Sequence, residues 1–81
     1  MLQPKIVSVQ PLPGYKLDIR YENGEKRLFE VSPYIRGDWY GKLKEFSYFR
    51  TVHILPSGGG IEWAEGQDIA PHELYEMGVE V

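Results

Sequence analysis

Tyr15, Leu17, Ile19 and Tyr21 alternate with Lys16, Asp18 and Arg20, and the run stops at Asn23-Gly24. A two-residue period places every second side chain on one face of an extended strand, so this stretch buries one face and wets the other. A helix would scatter the same apolar residues around its circumference. Residues 26–31 supply a return strand, and two registers fit the hairpin. With Asn23-Gly24 as a two-residue type I′ turn, Leu28 and Glu30 share the face of Leu17 and Ile19, which buries a carboxylate and exposes Phe29 and Val31. With Glu22-Asn23-Gly24 as a three-residue loop closed by Gly24 in a left-handed bulge, Leu17 faces Phe29 and Tyr15 faces Val31. The second register is preferred. It sets Lys16 across from Glu30, an attraction worth roughly 0.3 kcal/mol, and leaves Leu28 on the outer face as its cost.

The rest of the chain falls into short pieces. Residues 5–10 (KIVSVQ) are rich in β-branched side chains and end at Pro11-Leu12-Pro13-Gly14, which reads as a first strand and a turn. Ser32-Pro33 reads as a helix start, with the Ser32 hydroxyl as cap and proline in the first turn, and Gly37 allows barely one turn. Residues 34–49 are aromatic and irregular. Within them Leu43, Phe46 and Phe49 recur at three-residue intervals, which predicts a short helix over residues 42–49 lying on the sheet. Residues 51–55 and 60–64 read as a second hairpin joined through Pro56-Ser57-Gly58-Gly59, with Val52 and Ile54 on the face of Ile61 and Trp63. Pro71 opens a last helix over residues 72–76. The expected fold is α+β: one domain over residues 1–81, about five mostly antiparallel strands (two hairpins plus an N-terminal strand), and two or three short helices.

Eighty-one residues without a cysteine bound what such a fold can do. A chain this short buries only about 60–65% of the surface it exposes when unfolded, and no disulfide or thiolate metal site supports the core. Apolar stretches of only a few residues exclude a membrane-spanning helix, and no basic segment followed by a hydrophobic run opens the chain. The expectation is a soluble cytoplasmic protein. Its nine basic residues all lie before Ser57, alongside six acids, whereas the stretch from Ser57 onward holds Glu62, Glu65, Asp68, Glu73, Glu76 and Glu80 and no Lys or Arg. A net charge of −3 argues against binding duplex DNA by itself, since phosphate neutralisation requires clustered cations. An acidic half fits a basic protein partner better.

Motifs for chemistry are sparse. His53 and His72 are 19 residues apart with no HxxxH or HxH spacing, so neither a metal nor another cofactor is expected. Ser8, Ser32, Ser47 and Ser57 lack a G-x-S-x-G elbow. The acid pairs Glu62/Glu65 and Asp68/Glu73 have no neighbours that would raise one pKa, and read as a solvated acidic edge. Gly58-Gly59-Gly60 lacks the Gly-Lys-Ser/Thr that opens a helix in a phosphate loop, and reads as a turn before a strand. Trp63 reads as a core anchor, Asp68 as a cap or brace before the last helix, and Gly66 and Pro71 as structural punctuation. Tyr34, Arg36, Trp39 and Tyr40 form the open question. Tyr, Trp and Arg dominate protein interface hot spots, yet a core this small also needs every large ring it can bury.

The ordered set Tyr15, Leu17, Tyr21, Gly24, then Leu43, Phe46, Phe49, Val52, and most strongly Ile61, Trp63, Gly66, Asp68, Ile69, Pro71, Leu74 and Tyr75, resembles a bacterial domain family of unknown function, number 2442 (DUF 2442). The resemblance covers almost the whole chain. Glu30 departs from it, standing where aspartate is common. The resemblance implies an α+β domain of about five strands, and implies for some relatives an antitoxin role beside a small toxin-like protein encoded nearby. It carries over no catalytic residue.

The function expected is therefore a non-catalytic protein-binding module, with Tyr34, Arg36, Trp39, Tyr40, Glu62 and Glu65 as candidate partner-binding residues. The alternative is a small-ligand or single-stranded nucleic-acid sensor that stacks its ligand on Tyr34, Trp39 and Tyr40. An edge strand at residues 5–10 could also pair two copies across a twofold axis, giving a homodimer.

Overall fold

The computed structural model describes residues 3–81. Strand β1 (Ile6–Leu12) pairs with β2 (Lys16–Tyr21), and β2 with β3 (Lys26–Glu30), all antiparallel. Leu17 stands opposite Phe29 and Lys16 opposite Glu30, which is the register of the three-residue loop. Gly24 takes a φ of 91°, and Tyr21 and Glu25 close the loop through a 2.9 Å backbone hydrogen bond. The apolar pattern decided this outcome: sliding by one residue would expose Phe29 and Val31, both now buried. Leu28 lies on the outer face, half-buried beside Val79. Strand β1 runs two residues further than expected, through Pro11, as an edge strand can because its outward N–H needs no partner. A bulge at Val7 shifts its register.

The second hairpin forms as expected in pairing and shrinks in length. Strands β4 (His53–Ile54) and β5 (Ile61–Glu62) pair with Ile54 opposite Ile61. Two strands join that no alternation announced: β6 (Asp68–Ile69) beside β5, and β7 (Val79–Glu80) beside β3. The fold is thus α+β, the described residues forming seven strands in two antiparallel sheets, ordered β1-β2-β3-β7 and β4-β5-β6, and three short helices. No helix among the described residues is long and apolar enough to cross a membrane.

The expected helix over residues 42–49 is broken. Helix α1 (Gly37–Tyr40) runs into a 3-10 turn (Gly41–Lys44), and α2 (Phe46–Phe49) starts anew after Glu45, whose ψ of 115° is extended. The break rotates the apolar face, so Leu43 and Phe49 are buried while Phe46 is 42% exposed. Ser32 does not cap a helix. It is the first residue of a 3-10 turn (Ser32–Tyr34) whose cap position is Val31, and no side chain caps that turn. Helix α3 (Pro71–Met77) likewise begins after Ala70 without a side-chain cap, with proline in its first turn.

The core lies where the inner face of the first sheet meets the second. Leu17, Ile19, Tyr21, Phe29 and Val31 from one side pack with Leu43, Phe49, Ile61, Trp63, Ile69 and Leu74 from the other. Trp63 is fully buried, its ring centroid 5.9 Å from that of Phe49, and its indole N–H donates to the Phe49 carbonyl at 2.8 Å. Tyr15 ties the two halves together: its ring meets Phe49 edge-on at 5.5 Å and its hydroxyl donates to the Lys44 carbonyl at 2.6 Å.

Candidate functional site

The turn between β5 and β6 builds the site. Trp63 and Gln67 close it through a 2.8 Å backbone bond, and Gly66 within it holds a φ of 109°, a conformation that L side chains resist. This turn delivers Gln67 inward. Gln67 is the one fully buried polar side chain among the described residues, and its amide is satisfied at both ends. Its Nε2 donates to the Trp39 carbonyl at 2.8 Å, and its Oε1 accepts from the Tyr48 hydroxyl at 2.6 Å. The same hydroxyl accepts the Glu65 backbone N–H at 2.8 Å. A chain of hydrogen bonds therefore fixes the backbone of α1 from beneath.

Trp39, pinned at its carbonyl, leaves its side chain 46% exposed. The Lys42 ammonium stands 5.4 Å from the ring centroid and pairs with the Glu65 carboxylate, and that hydrogen bond holds the ammonium above its usual pKa. The ring thus sits on the surface between a fixed backbone and an ion pair.

Tyr34 and Tyr40 line an open groove of about 370 Å³ with Asp68, Ile69, Ala70 and Glu73. Tyr40 donates its hydroxyl to the Asp68 carbonyl at 2.9 Å. Tyr34 donates to Glu73 Oε2 at 2.5 Å, and this hydrogen bond to a carboxylate, aided by burial, pushes the phenol up to about 12. Asp68 is exposed and lies opposite Glu62 across β5 and β6. Residues 6–80 match the model of a family described as protein of unknown function (DUF2442). The chain belongs to this family. No curated protein and no solved structure matches it.

The six candidate partner-binding residues of this DUF2442 chain divide into separate neighbourhoods. Tyr34 and Tyr40 share the groove. Trp39 and Glu65 meet through Lys42. Arg36 is exposed, with its Nε donating to the Pro33 carbonyl at 3.2 Å, and does not line the groove. Glu62 faces outward from β5, 3.1 Å from His53 Nε2, and among the described residues no three His, Asp or Glu side chains gather as metal ligands would. Of the four residues read as structural, Trp63 is fully buried in the core, Gly66 holds a positive φ in the β5–β6 turn and Pro71 opens α3. Asp68 is corrected: it does not cap α3, because it lies in β6 and the cap position falls at Ala70.

Gln67, Tyr48, Lys42 and Glu73 were missed as parts of the site. Gln67 stands between Gly66 and Asp68 in a stretch that looks solvent-facing, and nothing in its local pattern marks it as buried. Glu73 could have been found only by knowing that Tyr34, 39 residues away, reaches it.

Proposed function

We infer that this domain is a non-catalytic protein-binding module whose partner is a basic protein, of the kind a small toxin-like product of a neighbouring gene would be, with this chain as the antitoxin-like half. The carrying observation is Trp39, a nearly half-exposed indole on a backbone locked by buried Gln67. A rigid exposed aromatic loses little conformational freedom when it is covered, which is what makes Trp effective at interfaces. Charge points the same way. Among the described residues, Glu65 is the only one of the six acids beyond Pro56 to form an ion pair with a lysine or arginine. Unpaired carboxylates steer a basic partner and make the encounter sensitive to salt.

The alternative, a sensor stacking single-stranded nucleic acid on Tyr34, Trp39 and Tyr40, is disfavoured because Asp68 and Glu73 share the tyrosine groove and would repel phosphates. Co-expression with the adjacent gene's product, followed by co-purification, tests the reading. Retention at low ionic strength is expected. Trp39→Ala should weaken it roughly tenfold or more, with the melting temperature unchanged within about 3 °C. Absence of retention at low salt overturns the reading.

A further inference from the structure

We propose that the groove between Tyr34 and Tyr40 receives an arginine side chain of the partner protein. This deepens the binding-module reading above and rests on it. The site's side-chain chemistry is one-sided. Both tyrosine hydroxyl protons are committed internally, Tyr34 to Glu73 Oε2 and Tyr40 to the Asp68 carbonyl, so the two hydroxyl oxygens keep only acceptor capacity. Glu73 Oε1 and both carboxylate oxygens of Asp68 have no hydrogen-bond partner among the described residues. Lys, Arg and His are absent from the lining. The side chains therefore offer acceptors, two formal negative charges and aromatic surface, and no donor.

The complement of such a surface is a cation rich in N–H donors that also tolerates an aromatic face. Guanidinium fits on both counts: it is planar, carries five N–H groups, bonds carboxylates two at a time and stacks on rings. An ammonium offers three donors on a strongly hydrated point charge and uses the rings less well. A protein is the source of that guanidinium because the groove is open and Tyr40 follows Trp39 in α1, the helix that carries the binding-module reading, so an occupant reaching both is a surface.

The test is a nuclear magnetic resonance titration of the whole chain with the peptide acetyl-Gly-Arg-Gly-amide, beside the same peptide carrying citrulline or lysine. Citrulline keeps the shape of arginine and lacks its charge. The arginine peptide should shift the amides of Tyr34, Tyr40, Asp68 and Glu73, the citrulline peptide should not, and the lysine peptide should do so more weakly. Glu73→Gln, which keeps an acceptor for the Tyr34 hydroxyl, and Asp68→Asn, at an exposed position, should each weaken the arginine peptide roughly five- to tenfold, with unchanged melting temperatures. Equal shifts from citrulline, shifts mapping elsewhere, or no loss in either variant overturns the proposal. The two readings separate in co-purification. Retention that Trp39→Ala abolishes and the Asp68→Asn/Glu73→Gln double variant leaves intact overturns the arginine site alone. Arginine-peptide shifts in the groove without retention of the neighbouring gene's product keep the guanidinium site and overturn that protein as its source.

Discussion

The β1–β3 meander and the segment from residue 32 to residue 70 are held by different means. In the meander, strands of five to seven residues bond through continuous backbone ladders, and their side chains need only alternate. In the later segment every strand is two residues long, far too short to define its own register. What holds it is polar side-chain tips placed on main-chain carbonyls. Trp63 reaches Phe49, Gln67 reaches Trp39, Tyr40 reaches Asp68 and Tyr15 reaches Lys44. Each such bond contributes roughly 1 kcal/mol when made, and the Trp63 bond, buried where the Tyr15 and Tyr40 bonds are exposed, costs the most to lose, about 1–3 kcal/mol. The meander can lose a side chain and keep its ladder, whereas the later segment loses geometry with each tip. The surface proposed here for partner binding, with Trp39 and Tyr40, sits on the second kind of structure.

Trp63→Ala should have the largest effect. It removes a fully buried ring together with its N–H bond to the Phe49 carbonyl, which keeps only the Val52 N–H at 3.4 Å, a loss of about 3–5 kcal/mol set against a total stability of roughly 4–12 kcal/mol for a chain of this size. Chemical denaturation followed by circular dichroism should show no cooperative transition, or one beginning near zero denaturant. Gln67→Leu comes next, at about 2–3 kcal/mol, because the side chain keeps its bulk while the Trp39 carbonyl loses the Gln67 donor and the Tyr48 hydroxyl loses the acceptor for its proton. Hydrogen exchange should quicken in residues 37–48 and stay slow in β2. Uniform loss of protection across both regions would break the distinction drawn between them.

That distinction also explains what was legible in the sequence. Alternation in residues 15–21, with Phe29 and Val31 on the return strand, selected the hairpin register, because burial of one face penalises every slip. Trp63 was legible for a related reason, since a large ring in an alternating strand is a core residue. The three-residue spacing of Leu43, Phe46 and Phe49 misled, since hydropathy carries no sign of the extended backbone at Glu45. Strands β6 and β7 were invisible because two residues cannot display a period. The site depended on contacts between residues 19 or more apart, from Tyr48 with Gln67 to Tyr34 with Glu73, which no local pattern encodes. Family resemblance recovered the order of the closing segment without explaining its geometry.

A matched pair of glycines sharpens the comparison at smaller scale. Gly24 and Gly66 hold φ angles of 91° and 109°, one in each region. A Cβ at Gly24 would meet nothing within 4 Å, and one at Gly66 would meet only the Trp39 ring at 3.9 Å, an ordinary contact. Both substitutions to alanine therefore test backbone strain alone, at about 1–2 kcal/mol each. Equal shifts in the denaturation midpoint are expected. A much larger loss at Gly66 would mean that the β5–β6 turn carries stability beyond the bonds described.

The smallest effect at neutral pH is expected at Glu25, where the meander does borrow a side-chain tie. Glu25 Oε1 accepts the Tyr75 hydroxyl at 2.9 Å and Oε2 accepts Arg27 Nε at 3.2 Å. Arg27 in turn donates to the carbonyls of Tyr75 and Gly78, with its guanidinium 4.1 Å from the centre of the Tyr75 ring, so the cluster fastens α3 and β7 to the first hairpin. The Tyr75 hydrogen bond, more than Arg27 beside it, holds the Glu25 carboxyl below its ordinary value of 4.5. Because the folded pKa is depressed, the unfolded chain takes up the proton first. The stability this carboxylate contributes is present above pH 4.5 and is lost as the pH falls through the folded value. Glu25→Gln should leave the neutral melting temperature nearly unchanged and flatten the fall in stability as the pH drops below 4.5, and Tyr75→Phe should do the same in part. An unaltered acid limb in Glu25→Gln would mean that α3 and β7 hold through packing and the β3–β7 ladder alone, and that side-chain ties are confined to the half of the molecule that presents Trp39.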